Sequence, residues 1–207
     1  MVENSVLPVH GKESEKISEL KVTSGDYEDY NPIRERFSYA IACQLFLVYL
    51  IFLYYEHINL VHPLLAGLLL GGQSSCMAQS LNQYYHKTYS FNKHVKFYIW
   101  GTLNGLFTTV WIHILFTYVE HPMYRFLVDQ SIGTGLFQFM FVLFNCVWER
   151  ADLITQLKTT YVSALKYSYM IWPAISFLSF NYLTPEVIFP LNCFCNLIFT
   201  FVLAILT

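Results

Sequence analysis

One carboxylate in this sequence lies inside a long apolar stretch and is the first candidate for chemistry. Asp129 is the only charged residue of segment 126–148. A charge in lipid is costly, so an ionisable residue within a membrane segment is a functional candidate by default. Arg125, one helical turn earlier, could pair with it as an interfacial anchor. Asp129 therefore has two interpretations: a group that lines a solute path, or half of an ion pair.

Uncharged polar side chains accompany Asp129 in several apolar segments. Four of them share one face of its own segment at helical spacing: Ser131, Thr134, Gln138 and Asn145. Others are Gln73, Gln79, Asn104, His113, Gln130, Ser168, Ser176, Asn181, Asn192 and Asn196. Such groups predict either an aqueous cavity or interhelical hydrogen bonds, which are worth about 0.6 kcal/mol each in membranes.

Clusters that would support catalysis or metal binding are missing from the sequence. The seven histidines show no H-x-x-x-H or H-x-x-H-H spacing, and there is no glycine-rich phosphate loop or G-x-S-x-G elbow. Cys193 and Cys195 would point about 200° apart on a helix, which does not favour a shared metal. We predict a protein that is not an enzyme, with no catalytic residues, no metal and no cofactor.

Composition indicates what holds these residues in place. The chain is 55% hydrophobic and 13% charged, whereas a soluble domain is about 25% charged. Half of the charged side chains fall in residues 1–36, so the rest cannot form a polar surface. This excludes an ordinary soluble domain, and a net charge of −2 without a basic stripe excludes a nucleic-acid binder. We predict an acidic, disordered tail at 1–36 and a transmembrane bundle at 37–207.

Six apolar segments follow the tail, each of about the 20 residues that a membrane-spanning helix needs. They are residues 37–55, 60–81, 97–119, 126–148, 161–183 and 187–206. Because backbone groups in lipid need internal hydrogen bonds, the segments should be helical. We predict an all-α integral membrane protein, a compact bundle of six helices. The alternative is a four-span core in which 37–55 and 60–81 do not both cross.

Basic residues predict which helix ends share a side of the membrane. With six spans, the tail, the 82–96 and 149–160 connections and the C-terminus share one side and hold ten Lys and Arg residues. The opposite connections hold only Arg125. Since basic residues concentrate on the cytoplasmic side, both termini are predicted on the same, cytosol-equivalent side.

Small residues predict close helix packing. Gly67 with Gly71, and Gly101 with Gly105, form two G-x-x-x-G pairs of the kind that lets helix backbones approach. We expect intramolecular contacts, with a homo-oligomer through one pair as the alternative. In the fifth segment, Pro173 removes a backbone hydrogen bond and predicts a kink.

The C-terminal half carries motifs that resemble a known family. They are V-D-Q at residues 128–130, W-P at Trp172-Pro173, and N-Y-L-T-P from Asn181 to Pro185. These are similar to the signature of the Mpv17/PMP22 family of peroxisomal and mitochondrial membrane proteins. The resemblance covers about residues 55–205. Ser75 and Phe189 stand where the family is expected to have an aspartate and an arginine, which indicates a divergent member.

The resemblance implies a small helical protein that supports solute movement across an organelle membrane. We therefore expect a channel-like protein whose partners are membrane lipid and small solutes. Its pore-lining or motif candidates are Asp129, Gln130, Thr134, Gln138, Asn145, Trp172, Pro173, Asn181 and Pro185. The expected location is the mitochondrial inner membrane or the peroxisome, with the vacuole as a further candidate. The alternative function is a structural scaffold of a membrane complex, held together through the glycine faces.

Overall fold

The protein is described by a computed structural model that gives the backbone of residues 32–206 and the side chains of residues 37–198. Its helices are α1 (Pro32–Leu53), α2 (Tyr55–Val61), α3 (Pro63–Tyr85), α4 (Phe91–Tyr118), α5 (Pro122–Val128), α6 (Thr134–Glu149), α7 (Leu153–Gln156), α8 (Val162–Tyr182) and α9 (Pro185–Leu206). Two five-residue π-helical turns, Asp129–Gly133 and Leu157–Tyr161, join α5 to α6 and α7 to α8. Residues 32–206 contain no strand, so the predicted all-α class is confirmed. The disorder predicted for the tail concerns residues that lie outside this range, apart from the start of α1.

The membrane character of the fold rests on helix length and an apolar surface. Among the described residues, Phe91–Tyr118 and Pro122–Glu149 are each long and apolar enough to cross a membrane. A third span would combine Phe37–Leu53 with Tyr55–Val61, which meet at a bend of 62°. Large apolar side chains are widely exposed, as a lipid-facing surface requires, and Phe46 is 61% exposed. The six predicted segments are all helical, while the number of crossings stays a prediction.

Two helices begin with the same His-Pro pair. Pro63 and Pro122 occupy the first helical position, where a missing N–H leaves no bond unmade. The preceding His62 and His121 each accept, through Nδ1, a 3.2 Å hydrogen bond from the backbone N–H two residues further on. These caps determine where α3 and α5 start, and α5 leads directly into the turn that carries Asp129.

Helices α3 and α4 meet along four glycines, and we name this contact the glycine seam: Gly67, Gly71, Gly101 and Gly105. A Cβ on Gly71 would lie 2.9 Å from Gly105 Cα and closer still to the carbonyl oxygen of Gly101. The two backbones are therefore in direct contact, which only glycine permits. Both predicted G-x-x-x-G pairs thus pack against each other within the chain.

An apolar core adjoins the glycine seam. Its buried residues on α3 and α4 are Ala66, Leu70, Ile112 and Leu115, and on α8 and α9 Phe180, Ile188, Phe189 and Cys193. These side chains join the seam to the two C-terminal helices. Apart from the aromatic rings and the Cys193 thiol, they are small or branched aliphatic groups that fill space without hydrogen-bonding demands.

Lys96 corrects one assignment made from the sequence. From the sequence, Lys96 is predicted to end the 82–96 connection. The structure places it in the second turn of α4, where it is 7% exposed. Its ammonium forms an ion pair with the carboxylate of Glu149 at the end of α6. The partners are 53 positions apart in the sequence, which explains why no local pattern predicts the pair.

Candidate functional site

A cavity of about 460 Å³ lies among α3, α4, α6, α8, α9 and the Asp129 turn. Its lining runs over residues 97–112 of α4 and residues 164–180 of α8. At 1.5 Å per residue, these stretches are about 22–24 Å long. The hydrocarbon core of a bilayer is about 30 Å thick, so the cavity follows the helices for most of that distance.

One stripe of α4 faces this cavity. Trp100, Asn104, Thr108 and Trp111 line it at spacings of four, four and three residues, which is one helical face. The glycines of the seam lie one position along, about 100° around the helix. The Trp100 ring centroid lies 5.1 Å from that of Phe141 on α6. Large rings hold α6 away from α4, whereas glycines let α3 touch it, and the cavity is the space that remains.

Asp129 accepts three hydrogen bonds from neutral side chains. The indole N–H of Trp111 donates to Oδ1 over 2.8 Å, and the hydroxyl of Ser176 donates to Oδ2 over 2.7 Å. The amide of Gln130 adds a third bond, to Oδ2, over 3.1 Å. A carboxylate has about four acceptor positions, so these donors occupy most of them. The carboxylate lines the cavity and ties α4 to α8.

The π-helical turn Asp129–Gly133 determines which residue reaches the cavity. Thr134, the next lining residue of that helix, lies five positions after Asp129. Counted back from Thr134, the α-helical spacing of three or four would instead select residue 131 or 130. Ser131 instead donates to a carbonyl of its own helix over 2.7 Å. Gly133 leaves room for the arrangement, because a Cβ there would lie 2.9 Å from both Asp129 Oδ1 and Trp111 Nε1.

Arg125 does not pair with Asp129. Its Nε–H donates to the carbonyl oxygen of Val119 over 2.7 Å, and its guanidinium carbon lies 3.9 Å from the centroid of the Phe116 ring. This is a cation–π contact at the start of the helix. The ion-pair interpretation of Asp129 is therefore wrong, since neutral donors hold the carboxylate.

The structure places four of the predicted site residues in the cavity wall and five outside it. In the wall are Asp129, Thr134, Gln138 and Trp172. Outside it are Gln130, Asn145, Pro173, Asn181 and Pro185. The amides of Asn145 and Asn181 donate to carbonyls of their own helices. Helix α8 continues through Pro173, and Pro185 is the first residue of α9.

Sequence reasoning misses Trp111 and Ser179 as site residues. Trp111 donates to a carboxylate 18 residues away, and the signal that could have found it is the polar and aromatic stripe of α4. Ser179 is 1% exposed, and its hydroxyl has no hydrogen-bond partner among the described residues. No pattern marks this serine, because only the bundle shows what surrounds it.

Residues 147–204 match the Mpv17 / PMP22 family. The predicted family resemblance is confirmed. The match runs from the end of α6 into α9, and so includes two walls of the cavity. Asp129 and the glycine seam lie outside the matched segment.

The chain is also similar to a vacuolar membrane protein of Saccharomyces cerevisiae. The two are 30% identical over 103 residues, which is 45% of this chain and 33% of that protein. The chain thus aligns with about one third of the length of this relative. No solved structure matches the chain. Together the comparisons show that part of this chain is similar to the Mpv17 / PMP22 family and to a protein of the vacuolar membrane.

Proposed function

We propose that this Mpv17/PMP22-family protein forms a passage for small solutes across an organelle membrane. The cavity carries the proposal, because it is about 460 Å³ in volume, extends along the helices and contains a carboxylate. Folded proteins normally fill their interiors to the density of organic crystals. A bundle that served only as a scaffold would close such a space with side chains.

The proposal includes no catalytic step. The hydrogen-bonding partners of Asp129 within the described residues are an indole, a hydroxyl and an amide. None of these is a base that would exchange a proton with the carboxylate near neutral pH. Asp129 therefore acts in this proposal as a fixed polar group of the wall.

A scaffold role through the glycine faces has less support. All four glycines of the seam are occupied by the contact between α3 and α4. A partner helix, or a second copy of the chain, would have to open this contact before it could use the same residues. Oligomerisation through these pairs is therefore not part of the proposal.

Three organelle membranes are candidates for the location of the protein. They are the mitochondrial inner membrane, the peroxisomal membrane and, because the yeast relative is a vacuolar membrane protein, the vacuolar membrane. Imaging a fluorescent fusion beside markers for these three organelles separates them. Protease protection of tags at both ends tests whether the termini share a side.

Flux into proteoliposomes tests the passage. Purified full-length protein should admit a panel of small solutes faster than protein-free vesicles do. Asp129→Asn should reduce this flux several-fold, because the amide NH₂ cannot accept a hydrogen bond and at least one of the three donors that hold the carboxylate loses its acceptor. Asp152→Asn, at an exposed carboxylate outside the cavity, is the matched control and should behave as wild type. Wild-type flux equal to that of empty vesicles would refute the passage.

A further inference from the structure

The charged groups of the cavity wall limit which solutes the cavity can accept. Asp129 is the sole charged side chain among the described lining residues. Lys96 lies outside the lining and is paired with Glu149. An anion in this space would meet a carboxylate and no counter-charge, which is strongly disfavoured away from bulk water. The three donors that hold Asp129 are neutral and leave its charge uncompensated, so the wall disfavours anions but not cations.

The lining groups that remain free are neutral. Four carboxamides of the wall make no side-chain hydrogen bond to another described residue: Gln79, Asn104, Asn192 and Asn196. They come from three of the helices that line the space, α3, α4 and α9. Each offers two donors and one acceptor without a charge.

Ser179 adds an unpartnered hydroxyl to the same wall. The residue is 1% exposed, and its Oγ makes no hydrogen bond within the described part of the chain. Buried polar atoms in folded proteins are nearly always satisfied. This oxygen is itself enclosed by the wall, so the groups that a guest can reach are the four carboxamides and not this hydroxyl.

Aromatic rings form much of the apolar lining. They include Phe97, Trp100, Trp111, Phe137, Phe141 and Trp172. Flat rings beside a few neutral polar groups suit a guest that carries both C–H faces and hydroxyls. The volume of about 460 Å³ lies within the roughly 300–1,000 Å³ of small-molecule sites.

We infer that the cavity takes uncharged, hydroxyl-rich solutes of the polyol class and rejects anions of similar size. A hydroxyl donates and accepts, as carboxamides do, so the wall can replace the hydrogen bonds that a polyol loses on leaving water. As a statement about transport, this inference rests on the proposed passage. As a statement about binding, it can be tested without transport.

A selectivity series on wild-type protein is the first test. Influx of erythritol and lactate into proteoliposomes is measured under identical gradients. Erythritol should enter at least about tenfold faster than lactate. Equal rates for the two solutes would overturn the inference and leave the passage standing. No flux of any solute would overturn the passage, and the inference would then be decided by binding.

Tryptophan fluorescence provides the binding measurement. Three of the four tryptophans, Trp100, Trp111 and Trp172, line the cavity. Titration of erythritol into the full-length protein in detergent should change the fluorescence and saturate, whereas lactate should have no saturable effect. No response to erythritol, or an equal saturable response to lactate, would overturn the inference.

A designed cation tests the charge argument. Asn192→Lys places an ammonium in the lining and should lower the ratio of erythritol to lactate flux at least about tenfold. Asn92→Lys makes the same change at an exposed position and should leave the ratio unchanged. If Asn192→Lys does not fold, Asn104→Leu replaces it and should slow erythritol several-fold without slowing lactate. An unaltered ratio in the folded variant counts against the inference.

Discussion

The two faces of α4 hold their neighbours in opposite ways. Toward α3, Gly101 and Gly105 bring the backbones into contact and leave no space between them. Toward α6, Trp100 and Trp111 reach across a gap to an aromatic ring and to the Asp129 carboxylate. One position along the helix separates Trp100 from Gly101, so a rotation of about 100° changes a closed contact into a cavity wall.

A helical bundle in lipid can therefore combine close packing with open space. Apolar side chains gain little by leaving lipid for a helix interface, so packing and hydrogen bonds hold the helices together. The glycine seam uses packing, which no solute can enter. We call the cavity-facing stripe of α4 the polar face: Trp100, Asn104, Thr108 and Trp111. A few directed hydrogen bonds, and the Lys96–Glu149 pair at its far end, hold this face to its neighbours and leave room between the helices.

The largest effect should come from breaking the glycine seam. Gly71→Ala puts a methyl group against the Gly101 carbonyl and 2.9 Å from Gly105 Cα, and neither backbone atom can move aside alone. The free energy of unfolding in detergent should fall by about 3 kcal/mol, the upper end for overpacking. Gly135→Ala is the control, because its Cβ would meet only the Tyr161 hydroxyl, at 3.5 Å. It should be neutral or stabilising by up to about 1 kcal/mol. Equal losses would show that the seam is not special.

The next effect should come from the ion pair on the polar face. Glu149→Gln leaves the buried Lys96 ammonium without its carboxylate, but Glu149 is half exposed and water can partly replace it. We expect a loss of about 1–2 kcal/mol, below the value for a fully buried pair. Glu120→Gln, at an exposed glutamate, should have no effect. Adding Lys96→Met should restore part of the loss, and an additive double mutant would contradict the coupling.

A smaller effect is expected for one bond at Asp129. Ser176→Ala removes the 2.7 Å bond to Oδ2 and should destabilise the protein by about 0.6 kcal/mol, and at most about 1.7 kcal/mol. Ser131→Ala is the matched variant, since this exposed hydroxyl bonds only within its own helix. Thermal melts of both variants in detergent make the comparison. A larger loss for Ser131→Ala would contradict the assigned hydrogen bonds.

The smallest effect should come from the N-terminal cap of α7, which belongs to neither face of α4. Asp152 accepts bonds from the backbone N–H and the hydroxyl of Thr155, and these bonds lower the pKa of its carboxyl below the usual 3.8. Because the folded pKa is lowered, the stability it contributes is present above pH 3.8 and is lost as the pH falls through the lower folded value. Asp152→Ala should melt slightly below wild type at neutral pH. The two melting curves should converge in acid, and a gap that grows there would contradict the cap.

Much of the fold could be predicted because its signals are local. Apolar runs of spanning length predict the helices, and G-x-x-x-G spacing predicts glycines at close contacts. The helices α3, α5 and α9 begin at Pro63, Pro122 and Pro185, where the fixed backbone of proline suits a first helical turn, although the apolar runs predict starts at residues 60, 126 and 187. Within the site, α-helical spacing selects Thr134 and Gln138, and both lie in the cavity wall.

The rest depends on contacts distant in sequence or on a break in helical periodicity. The π-helical turn shifts the face of its helix, so the spacing favours Ser131 although Asp129 reaches the cavity together with Thr134. Trp111 and Lys96 gain their roles from partners on other helices. Arg125 is near Asp129 in sequence but is held by Val119 and Phe116 instead.

Whether solutes cross through the cavity is tested most directly by comparing two substitutions to phenylalanine on α4. Asn104→Phe fills the cavity from its wall, whereas Val110→Phe adds the same ring at a position 39% exposed on the outside. If solutes cross through the space between α4 and α6, erythritol flux into proteoliposomes should fall to the empty-vesicle rate for Asn104→Phe and stay at the wild-type rate for Val110→Phe. Wild-type flux through folded Asn104→Phe protein would show that the cavity is not the path.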